Sequence, residues 1–178
     1  MGHVYFARHG QTIWNVENKI CGATDIALTE LGHKQGIALG EYIRDNITDI
    51  DEILYSPLVR AKDTALHVAD ITGLPAREVA ALKEQNFGRY ESTPRHGAEF
   101  EEAKKDMFNS YDGGESMARM CQRIYNLLDS LREDDRTYLL VAHNGIARVV
   151  KSYFEEMTNE EFAAFGIDNC AVERFEFK

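Results

Sequence analysis

Short apolar segments alternate with amphipathic segments along this 178-residue chain. That alternation predicts an α/β fold built on a parallel sheet. Val4–Ala7 and Tyr138–Ala142 are nearly continuous apolar runs, which is typical of strands buried on both faces of such a sheet. Both runs lead into a histidine, His9 and His143, with a glycine close behind. Because ligands of open α/β sheets bind beyond the carboxyl ends of the strands, these two ends indicate where a site would lie.

The first predicted helix follows a long loop. Gln11–Asp25 spans fifteen residues without clear periodicity, and loops of that length are candidates for function. Thr29 is a typical N-cap, and the apolar residues of Glu30–Asn46 recur at helical spacing. Glycines at every fourth position of this segment predict that the helix packs closely on a neighbouring element.

The next strand and helix bring a cation to the same edge of the sheet. Asp51–Tyr55 is a short strand-like run, followed by Ser56-Pro57. That dipeptide is a strong helix-start signal, with the serine as N-cap and the proline as first helical residue. The predicted helix continues to about Thr72. Arg60 therefore lies in the first turn of a helix that follows a strand.

The second half of the chain continues the pattern. Val79–Leu82 is predicted as a weak strand, and a helix is expected around Glu99–Phe108. Ser116 begins a long amphipathic helix. A further helix is predicted over Ile146–Met157, directly after the central apolar strand. Cys170–Phe177 is predicted as a last, aromatic-rich strand near an edge of the sheet. Without repeats, low-complexity tracts or a linker, residues 1–178 are expected to form one domain.

Composition narrows the possible partners. The formal net charge is −10 and the sequence pI is about 5.1, so the field of the protein repels nucleic acid and anionic membranes. No apolar run has the length of a membrane-spanning helix. The N-terminus shows no signal-peptide pattern, so we expect a cytoplasmic protein without nucleic-acid or membrane partners.

Cysteine and histidine spacing predict neither a disulfide framework nor a metal site. The three cysteines are odd in number and far apart in sequence, which favours a reduced compartment. The six histidines show no His-x-His or His-x-x-x-His spacing. We therefore expect no metal and no cofactor.

Four basic side chains share one predicted location. Arg8, His9, Arg60 and His143 each lie just after a strand or in the first turn of the next helix. A histidine after a strand is, taken alone, more often structural than catalytic. In a parallel sheet, however, these four side chains and Asn15 converge on one pocket together with the free amides of helix N-termini. Such a pocket should bind a dianion such as a phosphate ester.

These residues occur in a wider set of motifs, and with them the chain resembles the histidine phosphatase superfamily. That family contains the cofactor-dependent phosphoglycerate mutases and their phosphatase relatives. The matching motifs, in the family's order, are Arg8-His9-Gly10-Gln11-Thr12 with Asn15; Asp25 with Leu28-Thr29 and Gly32; Ser56-Pro57-Leu58 with Arg60-Ala61 and Thr64-Ala65; Glu84 with Phe87-Gly88 and Glu91; Gly114-Glu115-Ser116; and Val141-Ala142-His143-Asn144-Gly145. The resemblance implies a three-layer α/β/α sandwich whose mostly parallel central sheet has an antiparallel edge strand.

The resemblance also implies roles. His9 is the nucleophile that accepts the phosphoryl group as a phosphohistidine. Arg8, Arg60 and His143 bind the non-bridging phosphate oxygens, where charge accumulates in the transition state. Glu84 is the general acid, which then activates water as a carboxylate. Further phosphate or substrate contacts are expected at Asn15, Asn144, Cys21 and Gly22.

Some positions differ from the family pattern. Cys21 stands where relatives often have a phosphate-binding glutamine, and a thiol does not donate as an amide does. Tyr90-Glu91-Ser92 replaces the common Trp-Glu-Gly beside Glu84. The segment Ser92–Asp112 is shorter than the substrate-covering insertion of the mutases, and this favours a phosphatase.

The sequence predicts a metal-independent phosphomonoesterase whose partner is a small phosphorylated metabolite. Two alternatives remain open at this point: a cofactor-dependent phosphoglycerate mutase, and a non-catalytic phosphate-binding protein. The intact set of catalytic residues speaks against the second alternative. The oligomeric state leaves no mark in the sequence.

Overall fold

A computed structural model describes residues 2–178, and its centre is a five-stranded sheet. Its strands are β1 (His3–Arg8), β2 (Glu52–Tyr55), β3 (Ala76–Glu78), β4 (Tyr138–Ala142) and β5 (Val172–Glu176). Their order across the sheet is β3-β2-β4-β1-β5. The first four strands are mutually parallel, whereas β5 pairs antiparallel with β1 at the edge. The predicted mostly parallel sheet with an antiparallel edge strand is confirmed.

Helices cover both faces of the sheet. They are α1 (Ile13–Val16), α2 (Glu30–Asn46), α3 (Val59–Thr72), α4 (Ala98–Ala103), α5 (Met117–Arg132), α6 (Asn144–Phe154) and α7 (Asn159–Ala164). Buried residues of α2 and α3 form one hydrophobic cluster with the sheet, and buried residues of α5 and α6 form another on its opposite face. The two clusters make the α/β/α sandwich that the resemblance implied.

The central strands are buried on both faces of the sheet, which explains why their sequences are apolar throughout. Along β4, Leu140 belongs to the cluster with α5 and α6, whereas its neighbours Leu139 and Val141 belong to the cluster with α2 and α3. Phe6 and Ala7 of β1 divide in the same way. Successive side chains of a strand point to opposite faces, and here each face is buried. The continuous apolar runs were therefore the correct signal for central strands.

The start of the third helix differs from the prediction. The residue at its N-cap is Leu58, whose side chain makes no cap hydrogen bond, and the amide of Val59 donates instead to Asp25 Oδ1 over 2.7 Å. Ser56 lies just upstream of the helix, and its hydroxyl accepts from the Leu58 amide and contacts His143. Arg60 still falls in the first turn, because the helix begins at Val59. The serine and proline motif located the helix correctly but assigned the wrong function to the serine.

Other boundaries also change. The predicted strand Val79–Leu82 is wrong, because the strand is Ala76–Glu78 and Ala80–Leu82 is a turn of 3-10 helix. The helix expected around Glu99–Phe108 ends at Ala103. The helix predicted over 146–157 spans 144–154, the last strand spans 172–176, and two short helices were not predicted. Local periodicity is weakest in short elements, and these are held by tertiary contacts.

A third, smaller hydrophobic cluster is separate from the two that pack on the sheet. It joins the loop after α1 to the segment around α4 through four buried side chains: Ile20, Tyr90, Phe100 and Tyr111. Phe87 packs against it, close to the predicted acid Glu84 in sequence. No helix within residues 2–178 combines the length and the apolar character needed to cross a bilayer.

Candidate active site

The carboxyl ends of β1 and β4 lie side by side. These parallel strands pair with Arg8 opposite Ala142, and the backbone amide of His9 donates to the Ala142 carbonyl over 3.0 Å. The next residue on each strand is therefore a histidine in the same layer. The ring centroids of His9 and His143 are 5.2 Å apart. The two histidines therefore meet at one edge of the sheet, as expected from the sequence.

One ring nitrogen of His9 is committed and the other is not. Nδ1 lies 2.7 Å from the Gly10 carbonyl oxygen, which can only accept, so Nδ1 carries the proton. Nε2 makes no hydrogen bond within residues 2–178. Burial lowers the pKa of His9 well below its ordinary value, and the charges of Arg60 and Arg8 lower it further. The imidazole is therefore neutral near pH 7, with the lone pair on Nε2.

Gly10 is positioned by the two helices on one face of the sheet. Its amide donates to Thr64 Oγ1 of α3 over 3.0 Å. A Cβ at this position would collide with the carbonyl oxygen of Gly32 in α2. A side chain on Gly10 would thus push the backbone away and take with it the carbonyl that selects the tautomer of His9.

His143 is oriented through the opposite nitrogen. Its Nε2 lies 2.7 Å from Ser56 Oγ, whereas Nδ1 is buried without a partner in the described part of the chain. Ser56 Oγ already accepts from the Leu58 amide, which leaves its hydroxyl proton free to donate to Nε2. Nδ1 then carries the single N–H proton of the ring and is available as a donor. Burial and Arg60 lower the pKa of His143, so this ring is also neutral.

Two arginines complete the basic cluster. Arg60 is 1% exposed, and its Nη1 and Nη2 donate to the carbonyls of Thr24 and Gly22 over 2.8 and 2.6 Å. Arg8 Nη1 donates to the Ile167 carbonyl over 2.8 Å. Each guanidinium keeps a buried Nε that has no partner within residues 2–178. Burial lowers the pKa of Arg8 to about 10, so it stays cationic at neutral pH.

Glu84 joins the site from the loop after β3. Glu84 is 6% exposed, and its carboxyl oxygens accept from the amides of Gln85 and Gly145 over 2.9 and 3.0 Å. Burial raises the pKa of Glu84, although the two amides and Arg60 oppose that rise. A Cβ at position 145 would press on the carboxyl group. A side chain at position 145 would displace that carboxyl group, so glycine lets the acid approach the backbone where α6 begins.

The two asparagines named from the sequence lie beside this cluster. Asn15 Oδ1 accepts from the Thr12 amide over 3.0 Å as part of the cap of α1. Its Nδ2 donors make no hydrogen bond within residues 2–178 and remain available. Asn144 Oδ1 accepts from the Ile167 amide over 3.0 Å, which joins the start of α6 to the loop before β5.

Cys21 and Gly22 belong to the loop whose carbonyls accept from Arg60. The Cys21 thiol lies 3.9 Å from the Thr24 carbonyl oxygen, and burial raises its pKa to about 11. The Gly22 amide donates to Glu91 over 3.0 Å. That amide is therefore already used, and Gly22 contributes to the site through the carbonyl that accepts from Arg60. The structure does not aim the Cys21 thiol or the Gly22 amide at the basic cluster.

Sequence reasoning gave no role to Glu91, although it named this residue within a motif, and it did not name Asn169. Glu91 accepts from the amides of Gly22 and Ala23 and from Thr24 Oγ1, so it organises the loop that contacts Arg60. Asn169 Nδ2 donates to the His9 carbonyl over 2.9 Å. An acidic residue three positions after Gly88 was visible in the sequence, but no local signal points to a partner almost seventy residues away.

Two further arginines add positive charge near the cluster. Arg148 Nε donates to the Phe165 carbonyl over 2.6 Å, and Arg95 Nη2 lies 3.4 Å from the Lys19 carbonyl. Neither forms an ion pair in the part of the chain that the structure describes. The charge of Arg95 lowers the pKa of both His9 and Arg8. The site is thus strongly positive although the whole chain is acidic.

Within residues 2–178, no group of three or more histidine, cysteine, aspartate or glutamate side chains is arranged to hold a metal ion. The chemistry that the described side chains can perform is that of a neutral imidazole nucleophile, a buried carboxylic acid and an array of donors for phosphate oxygens. That combination is suited to phosphoryl transfer through a covalent intermediate on a side chain of the protein.

The chain is similar to known phosphoglycerate mutases and phosphatases. A probable phosphoglycerate mutase GpmB from Yersinia pestis (strain Pestoides F) is 31% identical over 187 residues, covering 100% of this chain and 86% of its own. The structure of a mycobacterial glucosyl-3-phosphoglycerate phosphatase with VO3 is 27% identical, with a TM-score of 0.83 over 98% of this chain and 90% of that one.

A second solved structure has a similar relation. Phosphoserine phosphatase from Entamoeba histolytica, in complex with 3-phosphoglyceric acid, is 26% identical, with a TM-score of 0.84 over 99% of this chain and 91% of that one. The sequence pattern of the histidine phosphatase superfamily (branch 1) matches residues 4–178. The chain belongs to the histidine phosphatase superfamily, branch 1.

Proposed function

We propose that this protein is a metal-independent phosphomonoesterase that hydrolyses small phosphate esters through a phosphohistidine on His9. One observation carries the proposal. The Nδ1 proton of His9 is held by the Gly10 carbonyl, so that the lone pair resides on the unpaired Nε2. Burial keeps the ring neutral. A neutral imidazole with one nitrogen committed and the other unoccupied is prepared to attack phosphorus.

In the first step, the Nε2 lone pair of His9 forms a bond to phosphorus and the bond to the ester oxygen breaks. Glu84 transfers its carboxyl proton to that oxygen, so that a neutral alcohol leaves. The raised pKa of Glu84 favours the protonated form required here. The Nδ1 proton stays on the imidazole, hydrogen-bonded to Gly10, and stabilises the ring while it carries the phosphoryl group.

In the second step, water attacks the same phosphorus and gives a proton to the Glu84 carboxylate. The nitrogen–phosphorus bond breaks, and the products are inorganic phosphate and His9 in its starting form. Arg8, Arg60 and the Nδ1–H of His143 donate to the three non-bridging oxygens in both steps. Each such donor typically contributes about 10²–10³ in rate. Asn15, whose amide donors are unused within residues 2–178, would add another contact.

The first experiment measures hydrolysis of p-nitrophenyl phosphate with a chelator present. We expect release of phosphate by the wild-type protein and none above background by His9→Gln. Exposure to a ³²P-labelled ester should leave label on the protein that is labile in acid and stable in base, and His9→Gln should lack it. Equal hydrolysis by both proteins would refute the proposal, and phosphate binding without turnover would indicate the non-catalytic alternative.

A phosphoglycerate mutase is the second candidate, favoured by the names of the sequence relatives. It would return the phosphoryl group from His9 to a sugar acid instead of water. The distinguishing measurement is conversion of 3-phosphoglycerate with a bisphosphoglycerate primer. A phosphatase releases inorganic phosphate in proportion to substrate consumed, whereas a mutase accumulates 2-phosphoglycerate with little free phosphate. The short segment between residues 92 and 112 favours the phosphatase.

The proposal includes the setting in which this enzyme works. Residues 1–178 act as one domain in the cytoplasm, and the partner is a small phosphorylated metabolite. The odd, dispersed cysteines support a reducing compartment. The net charge of −10 opposes binding to nucleic acid.

A further inference from the structure

Within residues 2–178, every polar atom of His9 has a hydrogen-bond partner except the attacking nitrogen, Nε2. The His9 amide donates to the Ala142 carbonyl over 3.0 Å, and Nδ1 lies 2.7 Å from the Gly10 carbonyl oxygen. The His9 carbonyl oxygen accepts from Asn169 Nδ2 over 2.9 Å. The first two partners are backbone groups. Asn169 therefore supplies the hydrogen bond to His9 that depends on the identity of a side chain.

The same NH2 group of Asn169 also reaches Asn15. It lies 3.4 Å from Asn15 Oδ1, which accepts from the Thr12 amide as well, over 3.0 Å. These two donors fix the orientation of the Asn15 amide, because turning it round would set its own NH2 group against both of them. The unused Nδ2 donors of Asn15 therefore point away from Thr12 and Asn169. One NH2 group thus joins the backbone of the proposed nucleophile to a proposed phosphate donor.

A tight turn before β5 holds Asn169 in this place. The Ala171 amide donates to the Asp168 carbonyl over 3.0 Å, and Cys170 within the turn has a φ of 58°. A cysteine rarely adopts this left-handed backbone, which persists only where the surrounding structure imposes it. Here the end of β1 imposes it, since the Cys170 amide donates to the Arg8 carbonyl over 3.0 Å and the Arg8 amide to the Ala171 carbonyl over 3.3 Å. The turn is thereby fixed to the strand that ends at the site.

We propose that Asn169 is a positioning residue for His9, and that its amide holds the His9 peptide and the Asn15 side chain in one fixed relation. The inference rests on the proposed phosphatase function, and it gives Asn169 no contact with the reacting atoms. Attack on phosphorus requires close alignment, and a displacement of about 1 Å can reduce the rate about 10²-fold. Without the Asn169 amide, the carbonyl of the buried His9 loses its partner, so the backbone that carries the imidazole is free to shift.

Asn169→Ala tests this role in steady-state hydrolysis of p-nitrophenyl phosphate. We expect kcat to fall about 10- to 100-fold, with KM changed less than threefold, because Arg8 and Arg60 still bind the phosphoryl group. Rapid-quench measurements should place the loss in the formation of phosphohistidine. Circular dichroism and thermal unfolding verify that the variant is folded. A wild-type kcat in folded Asn169→Ala would overturn the inference.

Two further substitutions separate positioning from packing. Asn169→Ser keeps a short donor and should recover part of the loss in kcat. Asn169→Asp keeps the shape but presents only acceptor oxygens to the His9 carbonyl and to Asn15 Oδ1, so it should lose at least as much as Asn169→Ala. A role in packing alone would rank the variants by size and leave Asn169→Asp nearest the wild-type protein, and that ranking would refute the inference.

Asn126→Ala is the matched control. It removes the same amide from an exposed position on α5, and it should leave kcat within twofold of the wild-type value. A double-mutant cycle then tests the connection to Asn15. Asn169→Ala should reduce kcat less in the Asn15→Ala background than in the wild-type protein, because one of the two groups that it positions is gone. Equal losses in both backgrounds would overturn the inference.

Vanadate binding separates this inference from the proposed function. Orthovanadate accepts a fifth ligand and so resembles the transition state of phosphoryl transfer, and calorimetric titration with it reports the alignment of His9 without hydrolysis of any ester. About tenfold weaker binding by Asn169→Ala, together with a wild-type protein that hydrolyses no ester, would support the positioning role and refute the phosphatase. Equal binding by both proteins would refute the positioning role whether or not p-nitrophenyl phosphate is hydrolysed.

Discussion

The ends of β1 and β4 present the same side chain in two different ways. At the end of β1, the backbone carbonyl of the very next residue, Gly10, binds Nδ1 of His9. At the end of β4, a hydroxyl 87 residues away in sequence, Ser56, binds Nε2 of His143. Both rings are buried and neutral. The two histidines therefore leave opposite nitrogens open, one as a lone pair and the other as a donor.

This difference teaches how one residue type can serve two proposed roles in a single pocket. The Nδ1 contact of His9 is with the adjacent residue, Gly10, whose position depends on packing against α2 and α3. The phosphate donor depends on a contact between two strand ends, which exists only after β2 and β4 pair. Changes at the β1 end should abolish covalent chemistry, whereas changes at the β4 end should weaken its electrostatic support.

The largest effect is expected at the β1 end. His9→Gln removes the proposed nucleophile, and we expect a loss of about 10⁴-fold or more in kcat, as for other covalent catalysts. Steady-state hydrolysis of p-nitrophenyl phosphate measures it, and circular dichroism checks that the fold persists. Residual activity within tenfold of the wild-type value would show that His9 is not the nucleophile.

The equivalent change at the β4 end should reduce kcat less. His143→Gln removes one donor to the transferring phosphoryl group, with an expected loss of about 10²–10³ in kcat. Unlike His9→Gln, this variant should still acquire acid-labile label from a ³²P ester, at a reduced rate. Absence of label after long incubation would give His143 a role in forming the covalent bond itself.

Glu84 accepts from the Gly145 amide just beyond the β4 end and makes the comparison depend on pH. Burial raises its pKa, so the acid form persists to higher pH than for an exposed glutamate. The rate of the first step should fall as pH rises through that pKa, because the proton for the alcohol is lost. Glu84→Gln should lose this alkaline limb.

The loss in Glu84→Gln should also depend on the alcohol. We expect about 10²-fold or more for an alkyl phosphate and far less for p-nitrophenyl phosphate, whose anion leaves without a proton. Phosphohistidine formation measured by rapid quench isolates this step. An equal loss for both esters would contradict a role as general acid.

Ser56→Ala tests the long-range contact on which His143 depends. Without the hydroxyl, Nε2 loses its donor and the ring is free to take the other tautomer, so that Nδ1 no longer donates. We expect about tenfold lower kcat with KM little changed, and partial recovery in Ser56→Thr, which retains a hydroxyl. A loss confined to thermal stability, with kcat intact, would make Ser56 merely structural.

The smallest effect concerns stability. The folded pKa values of His9 and His143 are lowered, whereas the unfolded residues titrate near pH 6.5. As pH falls below about 6.5, the unfolded state binds protons that the folded state does not, and stability is lost by up to about 1.4 kcal/mol per histidine per pH unit. Urea unfolding at pH 7 and pH 5.5 should show a smaller decrease for His143→Gln than for the wild-type protein.

Much of this architecture was readable from local sequence. The apolar runs of β1 and β4, the Thr29 cap and the long helices are confirmed, since each is specified within a few residues. Short elements were harder to predict: the strand expected at Val79–Leu82 lies a few residues upstream, and α7 was missed. Their position depends on packing against distant parts of the chain.

By itself, the sequence determined the fold class, the edge of the sheet that carries the site, and the residue types that meet there, because strand periodicity and strand-end motifs are local properties. Tertiary structure alone decided which nitrogen of each histidine is open, why the Gly22 amide is already used, and that Asn169 contacts both His9 and Asn15. Those facts depend on hydrogen bonds and burial between segments far apart in the chain. Only packing brings such groups within bonding distance and removes them from water.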